Sequence, residues 1–244
     1  MDTAWPAIRT AGFDGFVVSF GDALTEPANR AALAFRDALE ASGLEGVEEI
    51  SSSLVSAFLR FDPLSGLSHA DMQAALQALL DKRDWYEAPL PRGRRLWRVP
   101  AVIGGDAAPQ FSEAAAAAGY SEAEAVASIA RQRVRVQTIG FSPGVPYLGQ
   151  LSPEWDIPRR KKLNPQVPAG SLCVAIRQLI VFSVAMPTGW THIGQTALNL
   201  FRPASDTPFL VRSGDEFQFR PVSPAELADL QDAPDGGATH EPLP

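Results

Sequence analysis

Proline placement constrains this chain more than any other feature. Twenty-one prolines stand among 244 residues, against an average of about 5%. They concentrate after Pro143, whereas the alanine-rich segments lie before Ile129. Proline removes a backbone donor and breaks helices, so the second half must be built of short strands and shaped loops. The first half is free to form helices. An α+β chain with a helix-containing first domain and a strand-rich second domain is the expectation. The boundaries expected are 1–100 and 101–230, joined near residues 90–105, with a mobile tail at 231–244 (QDAPDGGATHEPLP) that lacks periodic apolar residues.

Local signals fill in the first hundred residues. Residues 12–20 (GFDGFVVSF) have a strand's composition. Pro27 suits a helix's first turn, Leu33, Phe35, Ala38 and Leu39 give it an apolar face, and Gly43 supplies the stop. Strands follow at 47–51 and 54–61. A second helix starts at Ser68, with Asp71 three residues on and Met72, Leu76, Leu79 and Leu80 along one face. Residues 95–102 (RLWRVPAV) read as a closing strand. This βαββαβ order is that of a ferredoxin-like domain. Ser121 and Glu124 then have capping-box spacing in a helical connector. Beyond it, strands are expected at 134–139, 172–176, 180–184, 197–201 and 216–221, in a barrel or a sandwich.

Composition removes several function classes. The net charge is −7, from 21 basic and 28 acidic residues, which argues against nucleic acid as a partner. The longest strongly apolar stretch, near residues 179–186, is of strand length, too short to cross a membrane. The amino-terminal residues lack the features of a signal peptide, so a cytoplasmic location is expected. Cys173 is the single cysteine, and with three histidines a metal site is not expected.

The sharpest motif is Gly140-Phe141-Ser142-Pro143-Gly144, which matches the G-x-S-x-G nucleophile elbow. Its chemistry does not. The residue after the serine must donate its N–H to an oxyanion, and Pro143 has none; Pro146 falls where the elbow's helix would run. The alternative is a rigid loop in which Phe141 and Tyr147 either wall a cleft or fill a core. Val167-Pro168-Ala169-Gly170-Ser171 is either an anion-binding nest or a tight strand entry. The run from Arg159 through Arg160, Lys161 and Lys162 is either a solvated loop or a docking point for a carboxylate or phosphate. His192, beside Trp190, is either a general acid/base or a structural hydrogen-bonding residue.

Taken in order, GFSPGVPYLGQL, IPRR, VPAGS, the isolated Gln178, PTGW with HIGQT, and SGDEFQFRPV resemble the family of 5-oxoprolinase B-type subunits, formerly called allophanate hydrolase subunit 1. That resemblance implies a ferredoxin-like domain followed by a cyclophilin-like β-barrel. It implies a homologous C-type subunit as partner in an ATP-dependent 5-oxoprolinase, with ATP bound at the level of the complex. His192 and Arg159 then become the chemical residues. Phe141, Ser142, Pro143, Gly144, Tyr147, Pro168, Gly170, Ser171, Gln178 and Trp190 become the substrate-binding set. Two other roles come with the same resemblance: a non-catalytic protein that inhibits a sensor histidine kinase, and a carboxyltransferase-like subunit. The sequence departs from the family pattern at Ile129, Ala130, Val134, Gln166, Thr188 and Gln195, with Gln166 and Gln195 standing where arginines are common.

Overall fold

The computed structural model describes residues 4–244. The chain is an α+β protein that divides into two units, Met1–Arg92 and Gly93–Pro244.

The first unit opens on a hairpin, β1 (Ala7–Ala11) and β2 (Gly15–Ser19), where a single strand at 12–20 was expected. Gly12 makes the turn, with a φ of +70° that glycine adopts without strain. Helix α1 (Glu26–Ser42) follows, with Pro27 in its first turn. The Thr25 hydroxyl accepts the Ala28 N–H at its start, and Gly43 ends it in the left-handed conformation. Strands β3 (Val47–Ser53) and β4 (Ser56–Phe61) form a second hairpin, and α2 (His69–Leu80) begins on a capping box of Ser68 and Asp71. The four strands lie in the order β1-β2-β4-β3. Phe16, Phe35, Leu59, Phe61, Leu76 and Trp85 share one core beneath both helices.

The edge position beside β2 belongs to β1, not to the strand at 95–102 that the βαββαβ order assigned there. That segment is β5 (Arg95–Ile103), and it lies in the second unit. Its composition accounts for the correction. Leu96, Trp97, Val99, Ala101 and Val102 are all buried, so both of its faces need cover, which a sheet edge would not supply.

After β5 come α3 (Phe111–Ala117) and α4 (Glu122–Arg131), the latter capped by Ser121 and Glu124. Then follow β6 (Val134–Ile139), β7 (Pro146–Gly149), β8 (Asn164–Val167), β9 (Ser171–Ala175), β10 (Gln178–Val181), β11 (Met186–Thr188), β12 (Thr191–Thr196), β13 (Glu216–Pro221), α5 (Pro224–Asp229) and β14 (Thr239–Pro242). Seven strands close a barrel in the order β12-β9-β10-β7-β6-β13-β5, and β12 returns to β5 at Gly194 to Thr196. Residues 197–201, expected as a strand, make only an isolated bridge from Phe201 to Phe209.

The tail is ordered, contrary to expectation. Strand β12 covers only the second half of β5, which leaves backbone groups of the first half open, and β14 pairs with them from Arg95 to Arg98. His240 packs edge-on against Trp97 at 4.6 Å, and Arg98 pairs with Glu241.

Strands β9 and β10 place the site. Leu172, Val174, Leu179 and Val181 face the main core, while Cys173, Ala175, Ile180 and Phe182 alternate onto the other face. There they join Val145, Val167 and Trp190 in a second cluster. The β8–β11 ribbon and the Gly140–Gly144 loop bring residues to that cluster, and a cleft opens among them.

Candidate functional site

The Gly140–Gly144 loop is pinned at both ends. The Gly140 N–H donates to the Val145 carbonyl (3.1 Å), the Val145 N–H to the Ser142 carbonyl (3.2 Å), and the Ser183 hydroxyl to the Pro143 carbonyl (2.6 Å). These bonds hold Phe141 at a φ of +69°, a conformation uncommon for a side chain of its size. The loop leads into strand β7 with no helix after it, so no elbow or oxyanion donor forms around Ser142. Ser142→Ala should therefore leave any hydrolytic activity of the assembled protein within about tenfold, far short of a lost nucleophile. Steady-state rates of the two proteins, and covalent labelling by an organophosphonate, check this.

The cleft has a volume of about 270 Å³ and is lined by Phe141, Tyr147, Arg159, Leu163, Ile180, Phe182, Pro187, Thr188, Gly189 and Trp190. Trp190 and Tyr147 meet edge to face at 5.8 Å, and the Arg159 guanidinium lies 5.9 Å from the Trp190 ring centre. Trp190 is fixed through its backbone: its N–H donates to the Thr188 hydroxyl (3.1 Å) and its carbonyl accepts from Asn164 (2.9 Å). Gly189 packs closely here: a β-carbon would fall 3.3 Å from the Arg160 carbonyl and from Leu163, which would have to give slightly. Burial pushes the Tyr147 phenol above its ordinary value, and the Arg159 charge opposes that only in part. At neutral pH the cleft thus presents one guanidinium, a neutral phenol and an apolar floor.

The Pro168-Ala169-Gly170-Ser171 turn lies elsewhere. Gly170 lines a separate cleft of about 340 Å³, together with Ser183, Gln195, Thr196, Asn199 and Gln231. Phe182 faces the first cleft and Ser183 the second, so the three motif loops do not converge on one pocket. The Gly170 N–H donates to the Phe182 carbonyl (2.7 Å) and the Ser171 N–H to the Pro168 carbonyl (3.3 Å). With those donors used by the protein itself, the turn is a strand entry and not an anion nest. Gln195 is tied to it, accepting from the Ser171 hydroxyl (3.2 Å) and donating to the Ala169 carbonyl (2.7 Å).

Gln178 and His192 are also outside the aromatic cleft. The Gln178 amide donates to Gln137 across the barrel wall (2.8 Å). Nε2 of His192 lies 2.9 Å from the Gly194 carbonyl, and its backbone N–H donates to Gln110 (2.8 Å). Burial pushes the His192 imidazole below its ordinary value, with the Gly194 bond working the other way. These are the contacts of a structural histidine. Among the described residues no group of His, Cys, Asp and Glu could hold a metal ion, and no helix is long and apolar enough to cross a membrane.

Residues 6–211 match the family described as "Carboxyltransferase domain, subdomain C and D". The chain belongs to this family. Within it, the chain is 39% identical over 149 residues to the B-type subunit of 5-oxoprolinase from Escherichia coli O157:H7, covering 60% of this chain and 68% of that one. It is 29% identical over 222 residues to the corresponding 5-oxoprolinase subunit of Bacillus subtilis, covering 88% and 92%. Among solved structures, TTHA0988 superposes with a TM-score of 0.71 at 28% identity over 89% of this chain. The chain spans 40% of TTHA0988.

For a member of the carboxyltransferase-domain family, four of the lining residues were legible in the sequence: Phe141, Tyr147, Arg159 and Trp190. Leu163, Ile180, Phe182, Pro187, Thr188 and Gly189 were not proposed for the cleft. Ile180 and Phe182 carried a usable signal, since strand alternation sends them to the face opposite Leu179 and Val181. Leu163 carried another, a lone leucine directly after four basic residues.

Proposed function

We propose that this chain is the B-type subunit of a heteromeric, ATP-dependent lactam hydrolase of the 5-oxoprolinase type, and that a homologous C-type subunit completes its site. The observation that carries the reading is the one-sided chemistry of the aromatic cleft. Trp190 and Tyr147 offer a wall for a small ring, and Arg159 offers a cation for a carboxylate. Among the described residues no carboxylate or imidazole lines the cleft, and the Tyr147 phenol is its one titratable acid.

No G-x-x-x-x-G-K-[ST] loop occurs in the sequence to cradle a nucleotide's phosphates. Nucleotide binding is therefore a property of the assembled complex in this reading. Here the chain's own residues hold the substrate: Arg159 orients its anionic group, and the aromatic wall excludes water behind it.

The expected result is that the purified chain neither hydrolyses ATP nor opens 5-oxoproline. Adding its cognate C-type subunit should yield a complex on size-exclusion chromatography and ATP-coupled ring opening. Robust turnover by this chain alone, unchanged by the partner, would overturn the reading.

A further inference from the structure

The mouth of the aromatic cleft differs from its wall. Trp190, Thr188 and Gly189 are buried, but Phe141 is 76% exposed and Leu163 is 60% exposed, and both line the same opening. An isolated exposed leucine is ordinary; two large apolar side chains at one rim are the mark of a surface that becomes covered. Phe141 moreover sits on left-handed backbone, a conformation uncommon for a side chain of its size that the bonds from Gly140 and Ser183 maintain.

Charge at this rim is opposite to that of the molecule. Lys161 and Lys162 are exposed and sit between Arg159 and Leu163, both of which line the cleft. Arg160 is paired with Glu113, but Arg159, Lys161 and Lys162 have no carboxylate within ion-pair distance among the described residues. The chain as a whole carries −7. A concentrated positive rim on an acidic protein is complementary to an acidic surface, and it would steer one toward the cleft.

We propose that Phe141, Leu163, Lys161 and Lys162 form the docking rim of a partner subunit, and that the partner's segment is acidic and carries aliphatic or aromatic side chains. Apolar contact with Phe141 and Leu163 supplies the buried centre, and the two lysines supply the charged margin. The docked segment lies across the mouth, so the missing acid–base groups arrive where the cleft is open. This rests on the proposed function and adds to it: Arg159, Tyr147 and Trp190 hold the substrate, while the four rim residues hold the partner.

The test titrates the cognate C-type subunit against the chain by calorimetry, then measures turnover at saturating partner. Phe141→Asp with Leu163→Asp should raise the Kd of the complex about 30-fold or more. Aspartate tolerates the left-handed backbone of position 141, and both positions are exposed, so matched thermal melting should show an intact fold. Lys161→Glu with Lys162→Glu should slow association about tenfold at low salt and flatten its salt dependence. Arg159→Gln should do the opposite, raising KM about tenfold while the Kd stays within about threefold. A complex that forms with unchanged Kd in the folded rim variants would overturn the rim and leave the function standing. If the wild-type chain forms no complex, both fall. Rim-dependent self-association of the chain alone by sedimentation would assign the surface to a second copy and also overturn the proposal.

Discussion

Asp215→Ala is expected to lower the melting temperature of the protein by about 10 °C. The carboxylate is 1% exposed and lies just before β13. It accepts from the Arg95 N–H (2.9 Å), the Arg95 guanidinium (2.7 Å), the Trp97 indole (3.1 Å) and the Arg212 N–H (3.1 Å). One side chain thus ties the start of β5 to the turn before its parallel neighbour. Alanine would leave the buried indole N–H without an acceptor and the guanidinium with only the Leu210 carbonyl (2.9 Å). Breaking a buried pair from one side costs about 3–5 kcal/mol, because the stranded charge stays behind. For a unit of this size each kcal/mol shifts melting by about 2–4 °C. Asp215→Asn keeps one acceptor oxygen and should lose less. A melting curve for the alanine variant within 2 °C of wild type (about 1 kcal/mol at most) would refute this account.

The same bond set shows which features a sequence reveals. Three helix starts were legible because their signals are local: Pro27 stands in the first turn of α1, and Ser68 and Ser121 each cap a donor three residues away, whereas α5, capped by Ser223, was not read. Strand β13 was legible because Phe217 and Phe219 alternate with polar residues. Strand β14 was not, since Thr-His-Glu-Pro has no apolar face and is held through backbone pairing with β5. Nor was β1, which precedes the turn at Gly12, where the expected strand at 12–20 began.

Site residues divide in the same way. Aromatic residues in a Gly/Pro loop announce a shaped surface, and Phe141, Tyr147 and Trp190 lie together as that composition suggests. The direction in which a side chain points depends on register, which sequence spacing does not reveal. The pairing of β12 with β9 shifts between His192 and Gly194, and that irregularity places the ring against the Gly194 carbonyl. Gln178 meets Gln137 only because β10, β7 and β6 are neighbours. No spacing within the chain encodes that adjacency.

Gly170→Ala is expected to cost more than any other substitution in the motif loops, and to cost it in folding. Two penalties combine there. The backbone has a φ of +78°, which alone costs a non-glycine residue about 1–2 kcal/mol. A β-carbon would also fall 2.3 Å from the Thr196 carbonyl oxygen and 2.6 Å from Gln195 Nε2. The carbonyl cannot withdraw freely, because the Thr196 N–H (2.9 Å) and hydroxyl (3.0 Å) both donate to the Gly170 oxygen and clamp the two segments together. Relief therefore requires parting the β9 entry from the end of β12, near where β12 returns to β5 to close the barrel. A loss above about 4 kcal/mol is expected, in the range that marks a structural lesion. Gly119→Ala is the control: its φ is +75°, but nothing lies within 4 Å of the added carbon, so it should show the backbone penalty alone. Chemical denaturation of the two variants separates steric from conformational cost, and equal losses would refute the clamp. An anion nest at this turn would instead give a folded Gly170→Ala protein with weakened phosphate or carboxylate binding.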